Sequence, residues 1–218
     1  MASGRAGRAR GLPVELGGAG RPPAKVRSEA ELTAQWWQWA LGIPTGENPL
    51  LDETGEDAGV GQPYKGNKVF FLCGVFNESG TVKRSISVPQ GTAFFFPLLN
   101  NVFIDSKGRG TDRANNPTVP EMRAIVAEQT DMVDYVYVTL DGEDLTDFSS
   151  RVASTPFTVR LPDDNIFGAP GGVYTPGVSD GYWFYLPPLA KGKHTLKFGG
   201  SVGDGSFVLN VTYCITVE

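Results

Sequence analysis

From residue 67 onward, apolar and polar side chains alternate with a period of two over much of the chain, and this pattern constrains the fold most. A period of two places successive side chains on opposite faces of a β-strand. The connecting stretches are rich in glycine and proline, of which the chain has 28 and 16, and both residues favour turns. The sequence therefore predicts an all-β fold, an antiparallel β-sandwich or jelly-roll-like arrangement.

The strictest alternation lies at residues 82–88, where it turns the side chain of Arg84 inward together with those of apolar residues. Residues 68–76 are apolar on both faces, which is typical of a central strand covered on both sides. Residues 92–100 predict a strand that ends near Pro97. Further strands are predicted at residues 134–140, 157–161, 182–186, 194–198 and 206–217, with a hairpin turn at Asp141-Gly142.

Two amphipathic helices interrupt the strands. The first, at about residues 29–41, opens with a capping box of Ser28 and Glu31, and Thr118 and Glu121 form the same motif before the second. Trp36, Trp37 and Trp39 make two faces of the first helix apolar. We therefore expect this helix to lie against a sheet or across an open end of the sandwich, while an alternative keeps Trp37 exposed as a stacking surface.

The N-terminal residues 1–27 differ in charge from the rest of the chain. They carry six basic residues against one acidic residue, whereas the remainder carries 13 basic and 23 acidic residues. With few large apolar side chains, this tail is predicted to be disordered, or to act as an organelle-targeting segment, and residues 28–218 form a single β-sandwich domain. No signal peptide or membrane span is visible, and the acidic domain is not expected to bind nucleic acid.

Several blocks of sequence, taken together, carry a resemblance to known proteins. They are WWQWALGIPTGENPLLDETG, the GQ at 61–62, FFLCG, KRSISVPQGTAFFFPLLN, GYWFYLPPLAKGKHTLKFGG and VTYCITV, and they span residues 36–217. In order and spacing they resemble a family of uncharacterised, mostly bacterial, predicted exported proteins. The resemblance implies a β-sandwich and an exported location, and it implies no chemistry.

Two departures from that family concern cysteines. The family pattern places a cysteine at each of the positions occupied here by Ala58 and Ile86. Their joint absence implies a disulfide that this chain has lost, as suits a reducing compartment or a chain that is stable without it. The remaining Cys73 and Cys214 are predicted to be free thiols. The sequence therefore leaves two alternatives for the location of the protein, export and organelle targeting.

Arg84 is the first candidate for a ligand-binding residue. A guanidinium among apolar side chains stays protonated and needs carboxylates or carbonyls as partners. We expect either a structural ion pair with an acid from residues 47–57 or the recognition of an acidic ligand. The aromatic residues Trp37, Tyr182 and Trp183 are the other candidate ligand contacts.

Acidic residues suggest a metal site but no catalytic one. Asp52, Glu56 and Asp57 fall in one loop and could supply the oxygen ligands that calcium prefers, or they could simply form turns. His194 is the only histidine, which argues against zinc. The GVSDG motif at residues 177–181 lacks the strand–turn–helix context of a nucleophile elbow. We assign no catalytic residue, and calcium is the sole cofactor considered.

Three functions of different classes follow from these features. The leading hypothesis is a non-catalytic β-sandwich binding module for a glycan or a protein partner. The second is a self-assembling structural protein, a homo-oligomer joined through strand edges. The third is a carboxylate-dependent glycoside hydrolase or lyase, for which sequence cannot give the spacing of two carboxylates.

Overall fold

The computed structural model describes residues 28–63, 68–76, 79–105 and 117–218. Within these ranges the chain is mostly β-structure, arranged in two five-stranded sheets with two α-helices, as the alternation predicts. The predicted disordered tail, residues 1–27, lies outside the described residues. Neither helix in the described ranges is long and apolar enough to span a bilayer.

The helices and strands follow one another in the chain as follows. The helices are α1, Glu29–Leu41, and α2, Val119–Asp131. The strands before and around α2 are β1 (Val69–Phe71), β2 (Gly80–Val88), β3 (Ala93–Ile104) and β4 (Val133–Leu140). The later strands are β5 (Glu143–Asp144), β6 (Ser150–Arg151), β7 (Phe157–Leu161), β8 (Gly172–Leu186), β9 (Gly192–Val202) and β10 (Phe207–Val217).

The two sheets have different strand orders. The first sheet runs β1-β3-β8-β6 with β7 also paired to β8, and the second runs β2-β10-β9-β4-β5. Most pairs are antiparallel, but β1 with β3 and β2 with β10 are parallel, which corrects the purely antiparallel expectation. Both parallel pairs join strands whose connections run across the molecule rather than through a hairpin.

The sandwich core lies between the two sheets. Phe94, Phe96 and Phe184 of the first sheet meet Phe198 and Tyr213 of the second, and the rings of Phe96 and Phe198 are 4.6 Å apart. Burying side chains of this size supplies about 1.5–3 kcal/mol each towards folding. The strict alternation of β2 and β10 reflects this core, because one face of each strand is buried in it.

A second core lies on the outer face of the first sheet, under α1. Trp36 packs edge-on against Trp183, with ring centroids 5.5 Å apart, and Trp183 stacks on Phe95 at 5.1 Å. The capping box of Ser28 and Glu31 opens α1 as predicted. The expectation that the tryptophan-rich helix lies against a sheet is confirmed, since all three indoles of α1 are buried there.

The first sheet is therefore covered on both faces, which explains its uninterrupted apolar runs. In β1, Phe70 faces the sandwich core while Phe71 faces the second core. The prediction that this segment is a central strand is nevertheless wrong. β1 has three residues and lies at the edge of its sheet, where the Gln62 amide hydrogen-bonds to the backbone of Phe71.

The strand predicted to end near Pro97 continues to Ile104. The pairing of β3 with β8 shifts register between Pro97 and Leu99, so Leu98 is an extra residue in β3. Such a β-bulge accommodates the missing N–H of proline and re-aims the side chains that follow it. This bulge positions residues 97–102, which line a cavity in the structure.

Candidate binding site

A cavity of about 500 Å³ lies where the two sheets, α1 and the end of α2 meet. Its lining comes from elements far apart in sequence. The lining residues are Trp36, Trp37, Leu50, Gly74, Val75, Phe76, Pro97, Leu98, Leu99, Asn100, Asn101, Val102, Gln129, Val133, Phe167, Val202, Phe207 and Leu209. This volume lies within the usual range for small-molecule sites in proteins.

The cavity exists because β1 ends early and its chain leaves the first sheet. β1 pairs with β3 only at Ala93–Phe95, and residues 72–76 then cross towards the second sheet. Gly74 reaches Leu209 of β10 so closely that a Cβ at this position would lie 2.7 Å from a Leu209 methyl carbon. The crossing chain and the bulged part of β3 thus form two walls of the cavity.

Arg84 holds the crossing chain in place. Its guanidinium donates hydrogen bonds to the Gly74 carbonyl at 3.0 Å and to the Cys73 carbonyl. Its Nε donates to the main-chain carbonyl of Asp52 at 2.7 Å, and its Nη1 donates to the Tyr213 hydroxyl at 3.0 Å. Arg84 is 1% exposed and does not line the cavity. It fixes the wall that Gly74 forms.

The expected ion pair between Arg84 and the acidic loop is wrong. Among the described residues, no carboxylate lies within salt-bridge distance of Arg84, and the loop contributes the carbonyl of Asp52 instead. Burial alone lowers the pKa of Arg84, but the adjoining Tyr213 and Cys73 raise it above its ordinary value overall. Arg84 is therefore a buried cation that carbonyl dipoles and a phenol stabilise.

The groups around Arg84 are not poised for nucleophilic chemistry. Burial raises the pKa of the Cys73 thiol, and Arg84 lowers it only in part. Burial also raises the pKa of Tyr213. Both side chains remain neutral near neutral pH, so the cluster is a structural one.

The last turn of α2 forms another wall of the cavity. Gln129 lines the cavity from this turn, and the neighbouring Thr130 hydroxyl accepts a hydrogen bond from the Asn101 amide at 3.3 Å. Arg151 of β6 fixes the turn from outside. Its guanidinium donates to the Ala127 carbonyl at 3.1 Å and forms a salt bridge with Asp131.

Arg151 also binds Asp180 of β8, at 2.8 Å, and so ties α2 to the first sheet. Hydrogen bonds to Asp180 and then to Asp131 raise the pKa of Arg151 far above its ordinary value. No sequence pattern identifies Arg151 as part of the site. It lies in a two-residue strand, which is too short to show any periodicity.

Of the four predicted ligand contacts, only Trp37 lines the cavity. Its ring packs edge-on against Trp36 at 4.9 Å, and the side chain is 4% exposed. Trp183 is enclosed in the second core, and Tyr182 is half-buried at the margin of the sandwich core. The structure therefore does not bring Trp37, Arg84, Tyr182 and Trp183 together.

Two buried donors on lining residues have no partner within the described ranges. They are the indole Nε1 of Trp37 and the amide Nδ2 of Asn100. In contrast, the indole N–H groups of Trp36 and Trp39 donate to backbone carbonyls at 2.8 Å. A buried donor of this kind is normally met by a water or ligand oxygen, since leaving it unpaired costs about 1–3 kcal/mol.

The described side chains that line the cavity are all uncharged. Among the described residues that line the cavity, none carries a charge, a thiol or a hydroxyl. The polar side chains are the amides of Asn100, Asn101 and Gln129, and each amide both donates and accepts hydrogen bonds. The cavity can therefore bind an uncharged ligand, and its lining supplies no general acid, general base or nucleophile.

The acidic loop is folded by Asp52 itself. The Asp52 carboxylate accepts hydrogen bonds from the backbone N–H groups of Thr54 at 2.7 Å and Gly55 at 2.8 Å, and also from that of Asp57. Burial opposes ionisation, but these bonds lower the pKa of Asp52 overall. Within the described ranges, no group of three or more His, Cys, Asp or Glu side chains is arranged to hold a metal. The calcium site at Asp52, Glu56 and Asp57 stays a prediction.

The remaining sequence candidates have structural surroundings. Ser179 of the GVSDG motif is buried in the middle of β8, which places no helix after it. His194 is hydrogen-bonded to Asp141 at 2.7 Å and to the Ala190 carbonyl at 2.9 Å. Cys73 and Cys214 are free thiols, as predicted.

Comparisons with family models, with curated proteins and with solved structures find no match to this chain.

Proposed function

We propose that this chain is a non-catalytic β-sandwich binding module that takes part of a glycan or of a protein partner into the cavity. The observation that carries the proposal is the absence of any titratable or nucleophilic side chain among the described lining residues. Catalysis of hydrolysis or elimination needs such groups at the reacting atoms. Binding needs shape, apolar surface and a few polar groups, which this lining offers.

Two further observations support binding over the alternatives. Asp52, the residue on which a hydrolase hypothesis would depend, uses its carboxylate to fold its own loop. Two end strands already have hydrogen-bond partners outside their sheet, which limits self-assembly at those edges: the Ser85 N–H of β2 donates to the Thr54 carbonyl, and the Thr158 carbonyl of β7 accepts from the Gln38 amide. We also propose that the sandwich has a jelly-roll arrangement.

The test is to screen the full chain on a glycan array and against a displayed peptide library, and to measure affinities by calorimetry. Val75→Trp fills the cavity from a half-buried lining position and should abolish binding. Val173→Trp is the matched control, because Val173 is 41% exposed and outside the lining. Binding that survives Val75→Trp would overturn the proposal.

A second pair of variants, with a smaller expected effect, tests whether a lining amide contributes to binding. Gln129→Ala removes an exposed lining amide and should weaken binding by about tenfold, the equivalent of one hydrogen bond of about 1.4 kcal/mol. Glu128→Ala changes the adjacent exposed residue, which does not line the cavity, and should leave binding unchanged. Large assemblies in size-exclusion chromatography, or polysaccharide cleavage lost in Asp52→Asn, would instead support one of the other two functions.

A further inference from the structure

The cavity runs along an edge of β3 that has no neighbouring strand. β1 covers β3 only as far as Phe95, whereas β3 continues to Ile104. Beyond Phe95, no strand within the described residues pairs with β3 on this side, which we call the open edge. Asn100 and Val102 lie on this part of β3 and line the cavity.

The direction of the backbone groups along the open edge follows from their neighbours. The Ala93 N–H and the Phe95 carbonyl bond to the β1 side, at Lys68 and Leu72. Backbone groups alternate between the two edges of a strand, and the extra residue at the bulge reverses that alternation. Asp105 agrees with this assignment, because its N–H bonds to Pro176 on the β8 side.

The backbone N–H and C=O groups of Asn100, Val102 and Ile104 therefore point to the open edge. None of them has a hydrogen-bond partner among the described residues. The three residues are half-buried, and backbone groups in folded proteins are almost always paired, either with other protein groups or with water. The open edge therefore offers a regular row of donors and acceptors to a ligand.

We propose that an extended, uncharged peptide segment of a partner protein pairs with β3 along the open edge and seats alternate side chains in the cavity. This inference rests on the proposed binding function and names its ligand. Strand addition is a common mode of peptide recognition, in which the backbone supplies affinity and side-chain pockets supply specificity. A glycan has no matching row of N–H and C=O groups and would leave the open edge unpaired.

The lining determines which side chains this segment carries. Leu98, Leu99 and Leu209 are buried lining residues, and Phe76 and Phe167 form an edge-on pair with centroids 5.5 Å apart. Apolar side chains fit this surface, whereas a charged side chain would lose its hydration without gaining a counter-charge. The donors of Trp37 and Asn100 are enclosed and have almost no exposed surface, so the backbone ladder carries the recognition.

A displayed library of uncharged heptapeptides, screened against the full chain, provides the probe. The selected peptide is then resynthesised with N-methyl groups at every second residue, in the two alternate sets. One set removes the N–H groups that face β3 and should weaken binding by about tenfold for each bond lost. The other set replaces N–H groups that point away from β3, and the peptide that carries it should bind as the parent peptide does. Equal effects of the two sets would overturn the inference.

A protein variant tests the same ladder from the other side. Val102→Pro removes one N–H from the open edge and leaves the pairing with β8 intact, as proline is tolerated on an unpaired strand edge. Val102→Pro should lower the affinity for the peptide by about tenfold, whereas Val102→Ala, which keeps the N–H, should lower it much less. Circular dichroism and Tm verify that both variants fold.

Amide hydrogen exchange separates the failure of this inference from failure of the proposed function. We expect fast exchange at Asn100, Val102 and Ile104 in the free chain and slow exchange with the peptide bound. Protection in the free chain would mean that the open edge is already covered, and it would overturn the inference. Glycan binding that Val75→Trp abolishes and Val102→Pro leaves unchanged would overturn the inference and keep the proposed function. If the unmodified chain bound neither a glycan nor a peptide in the cavity, both the inference and the proposed function would be overturned.

Discussion

Two arginines hold different walls of the cavity, and their surroundings differ in almost every respect. Arg84 is fully buried, and its partners are three main-chain carbonyls and a phenol. Arg151 has a side chain that is 34% exposed, and its main partners are two carboxylates. Arg84 fixes the crossing chain at Gly74, whereas Arg151 fixes the last turn of α2.

The difference illustrates two ways of using one side chain. A buried carboxylate partner for Arg84 would itself need desolvation, which is costly, whereas carbonyl dipoles are already present in the backbone. The Cys73 and Gly74 carbonyls belong to chain that has left the sheet, so Arg84 replaces the strand neighbour that they lack. Arg151 lies near water, where carboxylates retain part of their hydration and the desolvation cost is smaller.

The largest expected effect is that of Arg84→Ala. It leaves the carbonyls of Asp52 and Gly74 without a donor, and each unsatisfied buried group costs about 1–3 kcal/mol. We expect the free energy of unfolding to fall by about 3 kcal/mol or more, as measured by urea denaturation. Arg160→Ala, at an exposed arginine of β7, should change it by less than about 0.5 kcal/mol. Loss of ligand binding with an unchanged Tm would instead make Arg84 a ligand contact.

Arg151→Ala should have an intermediate effect. It removes the cation that faces the buried carboxylate of Asp180, so the free energy of unfolding should fall by about 1–3 kcal/mol. Asp131→Ala breaks only the outer salt bridge, whose carboxylate is 65% exposed, and should cost less than about 1 kcal/mol. Thermal denaturation in low and high salt measures both variants. Equal losses for the two would contradict the ranking of the two salt bridges.

The smallest effect concerns a surface pair outside both walls, His194 with Asp141. Burial lowers the pKa of His194, but hydrogen bonds to Asp141 and the Ala190 carbonyl raise it overall. A raised histidine pKa stabilises the fold below the ordinary value and loses that contribution as pH rises through the folded value. His194→Gln should therefore lower Tm more at about pH 5.5 than at about pH 8.5. The corresponding loss in the free energy of unfolding should be less than about 1 kcal/mol. Equal losses at both pH values would contradict this.

Part of the cavity could be predicted from the sequence. The alternation at Val82, Arg84 and Ile86 places Arg84 inside, and the three-residue spacing within each capping box gives both helix starts. Trp37 was a candidate contact because indoles are common in binding sites. The amides of Asn100 and Gln129 were not candidates, since nothing in the local pattern distinguishes them from surface residues.

The sequence by itself determined the strand faces, both capped helices and the inward direction of Arg84, because these depend on spacing within short stretches of chain. Only the tertiary structure decided that β1 is an edge strand, that two strand pairs are parallel and that β3 continues through Pro97. It also decided which partners Arg84 and Arg151 have. Those outcomes depend on which strands meet across the molecule, and periodicity along one strand carries no information about its neighbours.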